Sequence, residues 1–181
     1  MYNPEVLTDQ RHNPPLMIAV IGGSEPSALA RDAAYQVGRG LATRGAIVVC
    51  GGLEGVMEAV CKGAKEAGGT TVGILPGNDP RDANPYVDIP ISTGIGWARN
   101  SIVAKAGLAI IAIDGAYGTL SEIGHALSEG SPVVGLDTWT FSAHGKEDSA
   151  IHRVTHADAA VEKAIALAIE RYDAAQPGAT S

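Results

Sequence analysis

Residues 109–127, AIIAIDGAYGTLSEIGHAL, set a threonine and a glutamate three positions apart behind a glycine-marked turn. A β-branched run stops at Asp114, passes Gly115 and Gly118, and becomes an apolar-striped segment opening Thr119-Leu120-Ser121-Glu122. Thr-x-x-Glu ahead of such a stripe is a helix-capping pattern, the threonine capping and the glutamate reaching back. The same residues suit ligand chemistry. Glycine lets backbone approach an anion closely, and a helix N-terminus attracts one. A carboxylate beside bound phosphate suits a ribose hydroxyl, or proton chemistry at a sugar carbon. Cap and ligand group both stand as readings of Glu122.

Two further turns share this form. Gly22-Gly23-Ser24 and Gly51-Gly52-Leu53-Glu54-Gly55 each follow an apolar run and lead into a helical pattern, as Gly115-Ala116-Tyr117-Gly118-Thr119 does. Their helix starts are expected to offer free N–H groups to an anion. Gly22, Gly23, Ser24, Gly51, Gly52, Gly115, Tyr117, Gly118, Thr119 and Glu122 are therefore candidate ligand- and phosphate-binding residues. The candidate cation is Arg99. On a helix over 95–107 it falls at about 40° from Ile95, inside a stripe formed with Ala98, Ile102, Val103 and Ala106, while Asn100 and Ala104 fall opposite. A guanidinium on an apolar face is paired or snorkels outward, because a buried unpaired charge is costly. Its partner is either a structural carboxylate or a ligand phosphate, which its fork suits.

These turns need elements to hold them. Strand patterns at 16–23, 46–52, 70–76, 86–91, 108–114 and 132–136 alternate with helical ones at 27–45, 54–69, 95–107, 118–129 and 155–172, with 137–154 irregular. On helix 118–129, Leu120, Ile123, Gly124 and Leu127 form the expected packing stripe, with Glu122 on the other side. The alternation predicts an α/β class: a single Rossmann-like domain, a doubly wound, mostly parallel sheet with helices on both faces. Ligands in such a sheet sit beyond the carboxyl ends of the strands. The expected boundaries are a flexible arm at 1–15, the domain at 16–172 and a disordered tail at 173–181.

Other chemistries are excluded or discounted. There is no G-x-x-x-x-G-K-[ST], and neither GRGLAT (38–43) nor GIGWAR (94–99) completes G-x-G-x-x-G, which argues against P-loop and dinucleotide enzymes. A net charge of −7 argues against nonspecific nucleic-acid binding but allows one small phosphorylated ligand. The cysteines, Cys50 and Cys61, are expected to be reduced and buried, and no metal site is expected. With no apolar leader and no run of about 20 apolar residues, no membrane role is expected and a cytoplasmic location is. His152 and His156 read as straddling a helix start, with Thr155 as cap and Asp158 three on. His125 reads as a surface histidine or a second proton carrier. Residues 137–150 read as an ordered loop, a flap or a partner contact, and Trp97 as an interface or second-layer residue.

GGLEGVMEAVCKGAKEAGGTTVGILP, TGIGWARN and DGAYGTLSE, in that order, resemble the LOG-like superfamily, whose members carry PGGxGTxxE and an upstream arginine segment. The resemblance spans about residues 16–137 and is nearest to the branch of molybdenum cofactor carrier proteins. That branch implies binding of a phosphorylated pterin, the molybdenum cofactor (molybdopterin), without turnover, in a homodimer or homotetramer. The phosphoribohydrolase branch, which cleaves the base–ribose bond of nucleoside 5′-monophosphates, implies catalytic roles for Arg99 and Glu122 and phosphate binding by the glycine turn and Thr119. An interaction protein with a vestigial site is the third alternative. The chain departs from the hydrolase pattern twice. Arg-Lys is Arg99-Asn100, which removes a cation and leaves Asn100 as a ligand-binding candidate, and Pro-Gly-Gly is Asp114-Gly115-Ala116, which adds negative charge to the turn.

Overall fold

The computed structural model describes residues 15–175. In chain order the elements are β1 (Met17–Gly22), α1 (Ala28–Thr43), β2 (Ile47–Cys50), α2 (Val56–Glu66), β3 (Thr71–Leu75), β4 (Ile89–Ser92), α3 (Asn100–Ala106), β5 (Ala109–Ile113), α4 (Tyr117–Ser128) and β6 (Val133–Leu136). A short hairpin follows, β7 (Ser142–Ala143) and β8 (Lys146–Glu147), then β9 (Ile151–Val154) and α5 (Ala157–Ala174). Seven strands form one sheet in the order β4-β3-β2-β1-β5-β6-β9, and every pairing in it is parallel. The fold is α/β and Rossmann-like. The order reverses at β1, whose Ala19 pairs with Val49 on one side and Ile110 on the other. A crevice opens beyond the strand ends at such a switch point.

Strand alternation divides the core in two. Ile18, Val20, Val48, Ile111 and Ile113 pack with α1, α2 and α5 on one face. Ala19, Ile21, Val49, Ile110 and Ala112 pack with Val103 and Ala104 of α3 and Ile123 and Ala126 of α4 on the other. The central strands are apolar throughout because both faces are covered.

Four local expectations change. The 95–107 segment is not one helix: Gly96–Arg99 is a 3-10 turn, entered through Gly94 and Gly96 at positive φ, and α3 starts only at Asn100. The wheel drawn over it therefore fails. Ile95, Ala98 and Ile102 are exposed, whereas Asn100 and Ala104 are buried. On α4 the inward face is Thr119, Glu122, Ile123 and Ala126, while Gly124 is exposed and Leu120 and Leu127 are half-buried. The irregular stretch contains an unexpected seventh sheet strand, β9, whose His152 and Arg153 are exposed as suits an edge. Thr155 is not the cap of α5; His156 holds that position without a side-chain cap bond, and His152 lies on the strand.

The expected arm and tail fall largely on residues 1–14 and 176–181, outside the described residues, while α5 runs on to Ala174. Among the described residues no helix is long and apolar enough to cross a membrane. No group of three His, Cys, Asp or Glu among them could hold a metal ion.

Candidate functional site

The carboxyl ends of β1, β2 and β5 meet around a cleft of about 500 Å³. Gly22, Gly23 and Ser24 line it from β1, Leu53 and Met57 from the second turn, and Tyr117, Gly118, Thr119 and Glu122 from α4. The first two turns are joined directly, since Val56 N–H donates to the Gly23 carbonyl at 3.0 Å. That bond occupies the first amide of α2, and α1 is capped by its own Ser27. The first turn of α4 lines the cleft with Tyr117, Gly118 and Thr119, and its N-cap, Ala116, makes no side-chain cap bond.

Thr119 and Glu122 are not caps. Because α4 begins at Tyr117, they sit in its first and second turns, and both side chains are directed inward, 2% and 6% exposed. A capping box would need Thr119 at the N-cap position. Glu122 faces Arg99, whose Nη1 donates to its Oε1 at 3.3 Å. Arg99 is 2% exposed, so its burial holds although the helical stripe proposed for it does not exist. Its Nη1 also donates to Asn100 Oδ1 at 2.7 Å, and its Nη2 to the Gly51 carbonyl at 3.3 Å. Nε, also buried, has no hydrogen-bond partner. One planar donor group thus carries a carboxylate, an amide and a carbonyl, and among the described residues two of its five N–H donors, that of Nε included, have no acceptor.

Burial pushes the Glu122 carboxyl up to about 7, against the opposing pull of the Arg99 charge. The same desolvation lowers Arg99 from its ordinary value, and Glu122 works against that shift. A carboxyl poised near neutrality beside a guanidinium can hold or release a proton at the cleft floor.

The glycines separate into different roles. Gly51 does not line the cleft. It makes room behind it, since a Cβ there would stand 2.5 Å from Arg99 Nη2 and 2.7 Å from Met57 Sδ. Gly52 is also set back, against Leu75 and Gly73. Gly115 has φ +112° and backs Thr119, where a Cβ would come within 2.5 Å of the threonine Cβ. Gly118 differs: a Cβ there would meet open space. Asp114, with φ 52°, is not among the cleft-lining residues. Its backbone carbonyl accepts from Thr138 Oγ1 at 2.6 Å, a bond that any residue in its place offers. Asn100 does more than remove a cation; it supplies an acceptor to the buried arginine.

Sequence reasoning missed Leu53, Met57, Trp97, Ala116 and Ser121 as lining residues. Apolar and small side chains carry no chemical signal, though each lies within a few positions of a motif residue. In the 137–150 segment, which carries the β7–β8 hairpin, Trp139 Nε1 donates to the Ala116 carbonyl at 3.3 Å, and its ring lies 5.9 Å from that of Tyr117. The two cysteines are free and buried with sulfurs 3.4 Å apart, beneath the second turn. His125 is exposed and lies outside the cleft lining.

The fold is that of the Rossmann-like α/β proteins, here with an arginine–glutamate pair under a glycine turn. The SLOG cluster4 family model matches residues 15–165, and the chain belongs to that family, within the LOG-like superfamily. It is similar to a molybdenum cofactor binding protein from the phototrophic bacterium Rippkaea orientalis, at 30% identity and TM-score 0.76, covering 86% of this chain and 98% of that one. It is similar also to the molybdenum cofactor carrier protein of Chlamydomonas reinhardtii, at 33% identity and TM-score 0.76, covering 85% and 98%. A cytokinin riboside 5′-monophosphate phosphoribohydrolase of Mycobacterium tuberculosis is 33% identical over 132 residues, 67% of this chain and 71% of that protein.

Proposed function

We propose that this protein binds a phosphorylated nucleotide-like or pterin ligand in the β1–β2–β5 cleft, as a carrier of the molybdenum cofactor type. The observation that carries the reading is Arg99: a cleft-lining residue that is buried, held by three acceptors, and left with an unpartnered Nε. A buried guanidinium with an unmatched donor is costly unless something accepts from it. Phosphate meets that need, and the open first turn of α4 offers amides to the same anion. Gly118 supports close approach, because no protein atom requires glycine there. The two similar proteins, each matched over nearly its whole chain, are named for the molybdenum cofactor and favour it as the ligand. For an assembly of identical subunits, the exposed Ile102 of α3 and the half-buried Leu120 of α4 are apolar side chains available to be covered.

A specific observation also favours N-glycosyl hydrolysis. Glu122, with its carboxyl at about 7, is suited to transfer a proton or to stabilise positive charge developing at the ribose, with Arg99 orienting it. Incubation with AMP and other nucleoside 5′-monophosphates separates the two. The carrier reading expects no free base and no ribose 5-phosphate, together with a rise in melting temperature on adding the pterin cofactor. Base release that Glu122→Ala abolishes would overturn it. Native mass spectrometry of the purified protein would show which small molecule accompanies it.

A further inference from the structure

We propose that Trp97 and Tyr117 form a ring-recognition wall of the cleft, on which a planar nitrogen heterocycle carrying the phosphate stacks. The proposal rests on the phosphate-binding reading above and assigns the residues that hold the ring attached to the phosphate. Both side chains line the cleft although they are 70% and 79% exposed. Large aromatics are highly buried on average, so two at one cleft mouth call for an occupant. They come from different segments, Trp97 from the 3-10 turn before α3 and Tyr117 from the first residue of α4.

Each ring has internal support. Arg99 Cζ lies 5.8 Å from the Trp97 ring centroid, which ties the indole to the buried guanidinium. Tyr117 packs against Trp139, whose indole N–H is bound to the Ala116 carbonyl. Supported rings lose little freedom when a flat partner lands on them. Leu53 and Met57 add apolar wall, and a methionine sulfur is a favourable neighbour for an aromatic ring.

The polar groups of the cleft divide unevenly. Arg99, Thr119 and Glu122 belong to the phosphate and sugar end by the reading above. Ser24, Ser121 and Asn100, whose Oδ1 already accepts from Arg99, are left as the polar side chains available to a ring edge. Recognition by faces rather than edges tolerates different ring systems, since every heterocycle has a π-face. The wall therefore fits the planar nitrogen heterocycle of either phosphorylated ligand proposed above. A purine nucleotide and a phosphorylated pterin share that chemistry.

The test uses the full chain. Because the sequence holds two tryptophans, Trp139→Phe leaves Trp97 as the reporter while keeping a ring behind Tyr117. AMP, neopterin phosphate and ribose 5-phosphate are titrated by calorimetry, and AMP and ribose 5-phosphate also by fluorescence. AMP is expected to quench Trp97 emission and ribose 5-phosphate to leave it unchanged. Trp97→Ala is expected to weaken AMP and neopterin phosphate by about 5- to 100-fold and ribose 5-phosphate by less than twofold, with Trp97→Phe recovering most of the loss. Tighter binding of one ring-bearing ligand than the other identifies the source of the heterocycle. Equal losses for all three ligands, no loss, or a change of subunit number without a change in selectivity would overturn the proposal. Ribose 5-phosphate failing to bind while AMP still quenches Trp97 would overturn the phosphate reading and leave stacking in place.

Discussion

Replacing Glu122 with glutamine should change how stability depends on pH. Glu122 titrates at about 7 in the fold against an ordinary 4.5, because burial disfavours its charge more than Arg99 restores it. A carboxyl raised on folding binds a proton that the unfolded chain has released. Its stabilisation is thus full below 4.5 and is lost as pH rises through about 7. At about 1.36 kcal/mol for each tenfold change in proton affinity, the whole effect is about 3 kcal/mol. Glutamine keeps the shape and an acceptor for Arg99 Nη1 but does not titrate. The difference in unfolding free energy, Glu122→Gln minus wild type, should rise by about 3 kcal/mol between pH 4.5 and pH 8. Urea unfolding of both proteins across that range measures it, and the subtraction cancels the carboxylates and histidines they share. A difference constant within about 0.5 kcal/mol, comparable to the error of such extrapolations, would refute the buried, proton-holding glutamate.

Three further outcomes follow from the same geometry. Gly118→Ala should leave stability unchanged or raise it by about 0.5–1 kcal/mol, since its Cβ meets open space in a helix, yet weaken binding of a phosphorylated ligand; thermal melts and a ligand titration check both halves. Gly51→Ala should cost about 1–3 kcal/mol, because the new methyl must displace the Arg99 guanidinium or Met57; urea unfolding gives the value, and AMP affinity should fall with it. Arg99→Ala should cost about 3–5 kcal/mol at pH 8, where it strands a buried Glu122 charge, and clearly less at pH 5, where Glu122 is protonated; equal costs at the two pH values would contradict the pairing.

Much of this was legible in the sequence. Continuous apolar runs such as Ile110-Ile111-Ala112-Ile113 report burial on both faces, and their alternation with helical segments specifies a parallel sheet. The failures have local causes. Thr119-x-x-Glu122 matches a cap, but Ala116 ends the turn and α4 starts two residues before the threonine. The Gly94 and Gly96 conformations impose a 3-10 turn on a sequence whose apolar spacing resembles a longer helix. Edge strand β9 alternates too weakly, as Ile-His-Arg-Val, to stand out from a loop. The Arg99–Glu122 pair joins residues 23 positions apart on separate elements, and spacing along the chain does not show such a contact.

The most direct test of the cleft as a phosphate site is calorimetric titration of wild type and Arg99→Ala with AMP and with adenosine, at a pH where both proteins are folded. The account predicts that wild type binds AMP at least tenfold more tightly than adenosine and that Arg99→Ala loses that preference, the roughly 1.5–3 kcal/mol of a charge-assisted hydrogen bond being about a tenfold effect or more. Equal affinity of wild type for the two ligands, or a preference for AMP that survives without Arg99, would contradict it.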